Sequence, residues 1–257
     1  MPLDFLPLPG TPVEELDTPA LLIDLPVMER NLKTLHGYFA TQTSKVRPHV
    51  KAHKSPVLAH RQLNAGATAG GVCCAKVGEA EVMVHGGIND VFIANEIVTR
   101  PKIARLMGLA RDANMMVAVD DPRNVEELSQ AAQARGVVLR AVVDVNVGLD
   151  RCGVEPGPGV VDLAKLVANA PGLHFAGLMG YEGGMWIEDF EERSIETKAR
   201  VRKLVDSREL VERAGLPVEV VSAGGTGTWN ITSEIAGVTE VQAGAYPFMD
   251  AHYRYVP

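Results

Sequence analysis

The chain has 257 residues, 46% hydrophobic and 22% charged, long enough to bury roughly three quarters of its unfolded surface in one α/β barrel or two smaller domains. Its 25 Gly and 16 Pro stay well under the roughly 25–30% that marks low-complexity chains, which excludes disordered and fibrous classes. A formal net charge of −7 excludes nonspecific attraction to nucleic acid or anionic membrane, so any anion site must be local.

The N-terminus, MPLDFLPLPG, has neither the cationic start nor the apolar core of an export signal. No apolar run reaches the roughly 18–20 residues of a membrane span. A cytoplasmic protein is expected, with no nucleic-acid or membrane partner. Residues 20–25 read as a strand without a partner, ahead of a helix over 27–39. Eight β-rich runs follow at 45–53, 71–76, 90–96, 115–121, 138–147, 173–182, 218–225 and 239–246. Segments of helical spacing separate them at 55–65, 77–85, 100–113, 123–135, 160–168 and 191–214, several ending in Gly stops such as Gly66, Gly86, Gly136 and Gly215. Eight βα units predict a parallel (β/α)8 TIM barrel spanning 1–257 as one domain, with 1–25 as an N-terminal extension. A doubly wound open sheet would carry GxGxxG after the first strand, and none stands there.

The first run holds Arg47-Pro48-His49-Val50-Lys51-Ala52-His53-Lys54. On a strand Val46, Pro48, Val50 and Ala52 share one face, and Arg47, His49, Lys51 and His53 share the other. The apolar face should meet the surrounding helices, which turns the ionisable face into a lumen that aliphatic side chains normally fill. Ionisable groups desolvated together depress one another's pKa, which makes Lys51 a candidate neutral amine able to attack a carbonyl. The alternative is an interior cation paired with a carboxylate. Lys54 has the opposite parity and reads as a surface residue. His49 and His53 lie about 13 Å apart along a strand, too far to share one metal ion.

In the second run Cys73 and Cys74 are adjacent and so point to opposite faces, unable to hold one zinc together. With Cys152 they read as reduced, buried small residues, and no metal-ligand set is assigned. After the fifth run, Asp144-Val145-Asn146-Val147-Gly148-Leu149-Asp150-Arg151-Cys152-Gly153 sets Arg151 at the barrel mouth. There it would hold a carboxylate or phenolate oxygen, or else form a salt bridge with Asp150 or Asp144. Tyr181, after the sixth run, is either a ligand contact or a packed rim tyrosine. The seventh run ends in Ser222-Ala223-Gly224-Gly225-Thr226-Gly227-Thr228, where glycine amides and Thr hydroxyls can converge on a phosphate, as barrels commonly arrange after strands seven and eight. Gln242-Ala243-Gly244-Ala245-Tyr246 ends the eighth run in a similar way.

A phosphorylated carbonyl compound that forms an imine with Lys51 and docks at 224–228 is most economically pyridoxal phosphate. The motifs LDTPALLIDL, RPHVKAHKS, GVCCAKVGEAE, DVNVGLDRCGV, SAGGTGT and TEVQAGAYPFMDAHY cover nearly the whole chain. In them the chain resembles the family of D-threonine aldolases, D-serine dehydratases and 3-hydroxy-D-aspartate aldolases, related to the alanine racemase N-terminal barrel. The resemblance implies a pyridoxal-phosphate lyase on D-configured β-hydroxy amino acids, by aldol cleavage or dehydration. Lys51 would carry the cofactor, Thr226, Gly244, Ala245 and Tyr253 would surround it, and His49 and Arg151 would serve the chemistry. Ala75 stands where members often have Gln, and Ala245 where they often have Ser. Members resemble a barrel followed by a β domain supplying ligands for a divalent metal (Mn, Mg or Zn). This chain stops at Tyr255-Val256-Pro257, so those ligands are expected to be absent, turnover to be slow, and 20–25 to be the strand that would join such a domain. A noncatalytic carrier of pyridoxal phosphate, an amino-acid racemase and a cofactor-free Schiff-base aldolase are the rival readings, and a homodimer is compatible with all of them.

Overall fold

Apolar runs alternating with amphipathic segments become, in the computed structural model, eight parallel strands joined by helices; the structure describes residues 7–251 and Tyr253. The strands are β1 Lys45–Val46, β2 Val72–Cys74, β3 Asp90–Glu96, β4 Asn114–Val119, β5 Leu139–Asp144, β6 Leu173–Met179, β7 Val220–Ala223 and β8 Glu240–Val241. The helices are α1 Leu25–Ala40, α2 Pro56–Asn64, α3 Val77–His85, α4 Arg100–Leu109, α5 Pro122–Arg135, α6 Pro158–Asn169, α7 Phe190–Arg213 and the single turn α8 Trp229–Thr232, which has too few residues to show a period in the sequence. The sheet runs from β2 through β8 to β1, each strand parallel to the next. Bridges from β1 and its extension, Val46 to Thr68 and His49 to Cys73, close the ring on the β2 side. The backbone bonds there run from Ala69 N to Val46 O at 2.9 Å and from Cys73 N to Pro48 O at 2.8 Å.

Strand alternation sorts the side chains as anticipated. Cys73, Phe92, Met116, Val142, Ala176 and Met179 fill the lumen, while Cys74, Val91, Val117, Val143 and Leu178 join the shell between sheet and helices. The two adjacent cysteines are thus buried on opposite faces and free. Helix starts follow their caps: Asp24 accepts from Val27 N, Asp121 from Arg123 N and Asp189 from Glu192 N.

Two expectations need correction. The first run is not a strand through residue 53. Its regular ladder ends at Val46, Pro48 has no N–H to give, and after the His49 bridge the chain winds into a 3-10 turn over Val50–Ala52, with Lys54 at φ 56°. Residues 20–24 form no strand. Their backbone finds no ladder partner among the described residues, and Leu21, Leu22 and Ile23 are 102%, 58% and 45% exposed. Residues 1–6 of the extension and the chain end at 254–257 lie outside the described residues. Among the described residues no helix is long and apolar enough to cross a membrane.

Arg47 lies low in the lumen, 3% exposed, and is fully committed there. Its Nε donates to both oxygens of Glu240 at 3.0 and 2.9 Å, Nη1 to Asp90 at 2.6 Å and Nη2 to Ala69 O at 3.1 Å. Burial opposes its charge, but the two carboxylates hold its pKa above the ordinary arginine value. This pair ties β1 to β8 and β3 across the barrel floor. Removing one partner of a buried pair leaves an uncompensated charge, at a cost of about 3–5 kcal/mol. Arg47→Met should therefore lower stability by that order in urea denaturation, and Arg47→Met combined with Glu240→Gln should recover part of the loss.

Candidate active site

A cavity of about 380 Å³ opens at the C-terminal ends of the strands. His49, Lys51, Arg151, Tyr181, Gly225, Thr226, Gly244, Ala245 and Tyr253 line it. Gly227 is half-buried and does not. Lys51 reaches the cavity from the 3-10 turn rather than by strand parity, and the same turn sends His53 away. The His53 ring meets Gln62 Oε1 at 2.9 Å, accepts from Ser55 N at 3.0 Å and packs edge-on against Phe248, so it is not a base for this cavity. Lys54 is exposed and donates to Lys51 O at 2.7 Å.

Partial withdrawal of its amine from water lowers the Lys51 pKa, and Arg151 lowers it further, while Cys73 and Glu79 pull the other way. Arg47 takes no part in this, because its charge is matched on the barrel floor. His49, 5% exposed, is held well below the ordinary histidine value by burial and then by Lys51, so its ring is neutral. The Tyr181 ring has Lys51 Nζ 5.9 Å from its centroid and the Arg151 guanidinium 5.7 Å from it. Burial pushes the Tyr181 phenol up to about 12, so it remains protonated near neutral pH.

Neither carboxylate expected beside Arg151 forms an ion pair with it. Asp150 accepts from Asn146 Nδ2 at 2.9 Å, and Asp144 accepts from the Cys152 thiol at 3.2 Å. Burial opposes the Arg151 charge, but Cys152, Asp144 and Glu96 hold its pKa above the ordinary value. Glu96, Asp144 and Cys152 offer ligand atoms within 4.8 Å of one another, a grouping that sequence separation hides. Cys152 is half-buried rather than buried, and burial pushes its thiol up to about 12. The Glu96–Asp144 contact and burial raise Asp144 to about 7. A divalent ion there would have to displace the protons that burial favours on Asp144 and Cys152.

At the other end of the cavity the Thr226 hydroxyl accepts from Gly244 N at 3.2 Å and Ala245 N at 2.9 Å, and also bonds the Tyr253 side chain. Two loops from separate strands thereby aim their donors at one point. Gly244 has to be glycine, since a Cβ there would stand 2.7 Å from His49 O. Gly224 adopts φ +75°, the left-handed region that glycine tolerates. Three wall residues were not singled out in the sequence: Trp186, Asn95 and Gln242. Gln242 shares the face of Gly244 by alternation, a signal that was available. Trp186, whose ring centroid lies 5.1 Å from that of Tyr253, sits on a loop without periodicity and offered none.

Lys51 and the 224–226 glycine turn thus line one cavity at the mouth of a parallel (β/α)8 barrel of the kind that enzymes use. The chain belongs to the alanine racemase, N-terminal domain family, which matches residues 23–252. It is 39% identical over 252 residues to a 3-hydroxy-D-aspartate aldolase of Paracoccus denitrificans, covering 97% of this chain and 65% of that one. It is 39% identical over 246 residues to a D-threonine aldolase of Arthrobacter sp., covering 95% of this chain and 64% of that one. Among solved structures it is similar to the D-threonine aldolase of Filomicrobium marinum, with a TM-score of 0.92 at 42% identity, over 95% of this chain and 66% of that one. The chain therefore spans just under two thirds of the length of these relatives.

The raised Asp144 pKa has a definite sign. An unfolded Asp ionises near 3.8 and the folded one near about 7, so folding takes up a proton between those values and stability falls as pH rises through that window. Urea midpoints of the wild type should drop between pH 5 and pH 8, and Asp144→Asn should flatten that drop. Equal slopes in the two proteins would show that Asp144 is ionised at neutral pH.

Proposed function

We propose that this chain is the cofactor-binding barrel of a pyridoxal-phosphate-dependent lyase that cleaves D-configured β-hydroxy amino acids between Cα and Cβ. The observation that carries the reading is the placing of Lys51 and the Thr226-centred donors in one cavity, with a lowered amine pKa at the first and converging N–H groups at the second. The fit rests on the chemistry of this end, where the Thr226 hydroxyl, the Tyr253 phenol and two glycine-bearing turns supply the kind of donors that phosphate oxygens take. The names of the relatives, aldolases of D-threonine and 3-hydroxy-D-aspartate, support the substrate class.

Bound to Lys51, the pyridine ring supplies an electron sink for the pair left on Cα when the bond to Cβ breaks. The rest falls to the protein. Lys51, with its pKa lowered, presents more neutral amine at working pH than an ordinary lysine and so joins a carbonyl carbon readily. Thr226, with the 244–245 turn bonded to its hydroxyl, and Tyr253 would hold the phosphate. Arg151, always charged, would hold negative charge beside the Tyr181 face, and it adds to the lowering of the Lys51 pKa that burial begins. The Tyr181 phenol stays protonated and closes the side of the cavity as a flat wall. His49, neutral and buried, contributes an uncharged ring beside the amine.

Borohydride reduction of the protein incubated with pyridoxal phosphate, followed by peptide mapping, should put the label on Lys51. Lys51→Ala should abolish both the label and any release of glycine and acetaldehyde from D-threonine, with L-threonine untouched in the wild type. Label on Lys54 or Lys76 would overturn the site, and a labelled Lys51 with no spectral response to D-amino acids would favour a cofactor carrier instead.

A further inference from the structure

Glu182 follows Tyr181 in the loop after β6 and is 0% exposed. No ion pair reaches its carboxylate among the described residues; donors satisfy it instead. Oε2 accepts from Gly224 N at 3.1 Å, and Oε1 accepts from the Thr228 hydroxyl at 2.6 Å and the Thr232 hydroxyl at 3.3 Å. Thr228 Oγ1 in turn accepts from Gly225 N at 3.1 Å. The first two amides of the 224–228 turn are therefore committed away from the cavity, one directly to Glu182 and one through Thr228. That commitment leaves Thr226 as the side chain of the turn that meets Gly244 N and Ala245 N. The Glu182 carbonyl accepts from Arg200 Nη1 at 2.9 Å, and the same Nη1 donates to Gly148 O at 2.9 Å in the loop that carries Arg151.

A buried carboxylate is expensive, and an amide of the same shape would be cheaper to bury if the position served packing alone. An amide, however, could serve the same partners only if both hydroxyls turned from donating to accepting, and its bonds would lack the strength that a charged acceptor gives. We propose that Glu182 is a positioning residue that, through Gly224 and Thr228, sets the 224–228 turn in the shape that places Thr226, with the 244–245 turn latched to its hydroxyl, against a phosphate monoester. This inference rests on the assignment of the cavity to pyridoxal phosphate, and it concerns the phosphate end only. The Lys51 end is built by a different segment and should not feel it.

The two ends can be read separately by titrating the full chain with pyridoxal phosphate and with pyridoxal, which has the carbonyl but no phosphate, following the imine absorbance in each case. Glu182→Gln should weaken pyridoxal phosphate roughly 10- to 100-fold, the loss expected for hydrogen bonds to a charged acceptor, and change pyridoxal less than twofold. The 31P resonance of the bound phosphate should move in the same variant. Thr228→Ser keeps the hydroxyl and should behave as wild type, while Thr228→Val should reproduce Glu182→Gln, and this second pair decides the matter if Glu182→Gln does not fold. Equal loss of both ligands, or unchanged affinity for pyridoxal phosphate, would overturn the positioning role. Failure of the wild type to bind either ligand would instead overturn the assignment of the cavity.

Discussion

The site depends on the close approach of two backbones, at His49 and Gly244. His49 N donates to Ala243 O at 2.9 Å, and Gly244 packs so tightly against the His49 carbonyl that no side chain fits between them. On one side of this contact the chain turns to present Lys51. On the other it continues into the amides that meet at Thr226. The spacing of the Lys51 and Thr226 segments is thus set by main chain rather than by side-chain rotamers, which the proposed two-ended ligand would require.

Three buried charges in the same barrel are handled in three ways. Arg47 is matched by two carboxylates on the floor, where it stitches β1 to distant strands. Glu182 has no cation and is satisfied by an amide and two hydroxyls, which ties it to the glycine turn. Asp144 has neither arrangement, and burial and then its Glu96 neighbour raise its pKa to about 7, so that it carries its charge only in part near neutral pH. Against this background Arg151 and Lys51, the latter with its pKa lowered, line the cavity of a chain of net charge −7. The proposed anion binding would therefore follow from the placement of these side chains rather than from overall charge.

Much of the site could be read from local spacing. Tyr181, Arg151 and the residues of the 222–228 and 242–246 turns stand directly after β-rich runs, and the ends of parallel strands are where barrels put chemistry. Lys51 lines the cavity, but not through the strand parity that predicted it. Alternation holds through His49, but a 3-10 turn then carries Lys51 over the mouth and His53 out of it, a change that Pro48 announces only weakly. The grouping of Cys152 with Glu96 and Asp144 was not legible, since Glu96 ends a different strand and nothing in the spacing links them.

The amino-acid order by itself determined the count of βα units, the inward and outward faces of each strand, the lysine and the glycine turns, because these rest on periods of two and 3.6 residues and on backbone freedom, all local properties. Only the tertiary structure decided which charges meet. Register across the sheet sets Arg47 against Glu240 and Asp90, brings Thr226 under the amides of the next loop, and buries Glu182 beneath the turn it holds. Those pairings join residues tens to nearly two hundred positions apart, and their energies depend on burial and distance, quantities that do not exist until the barrel closes.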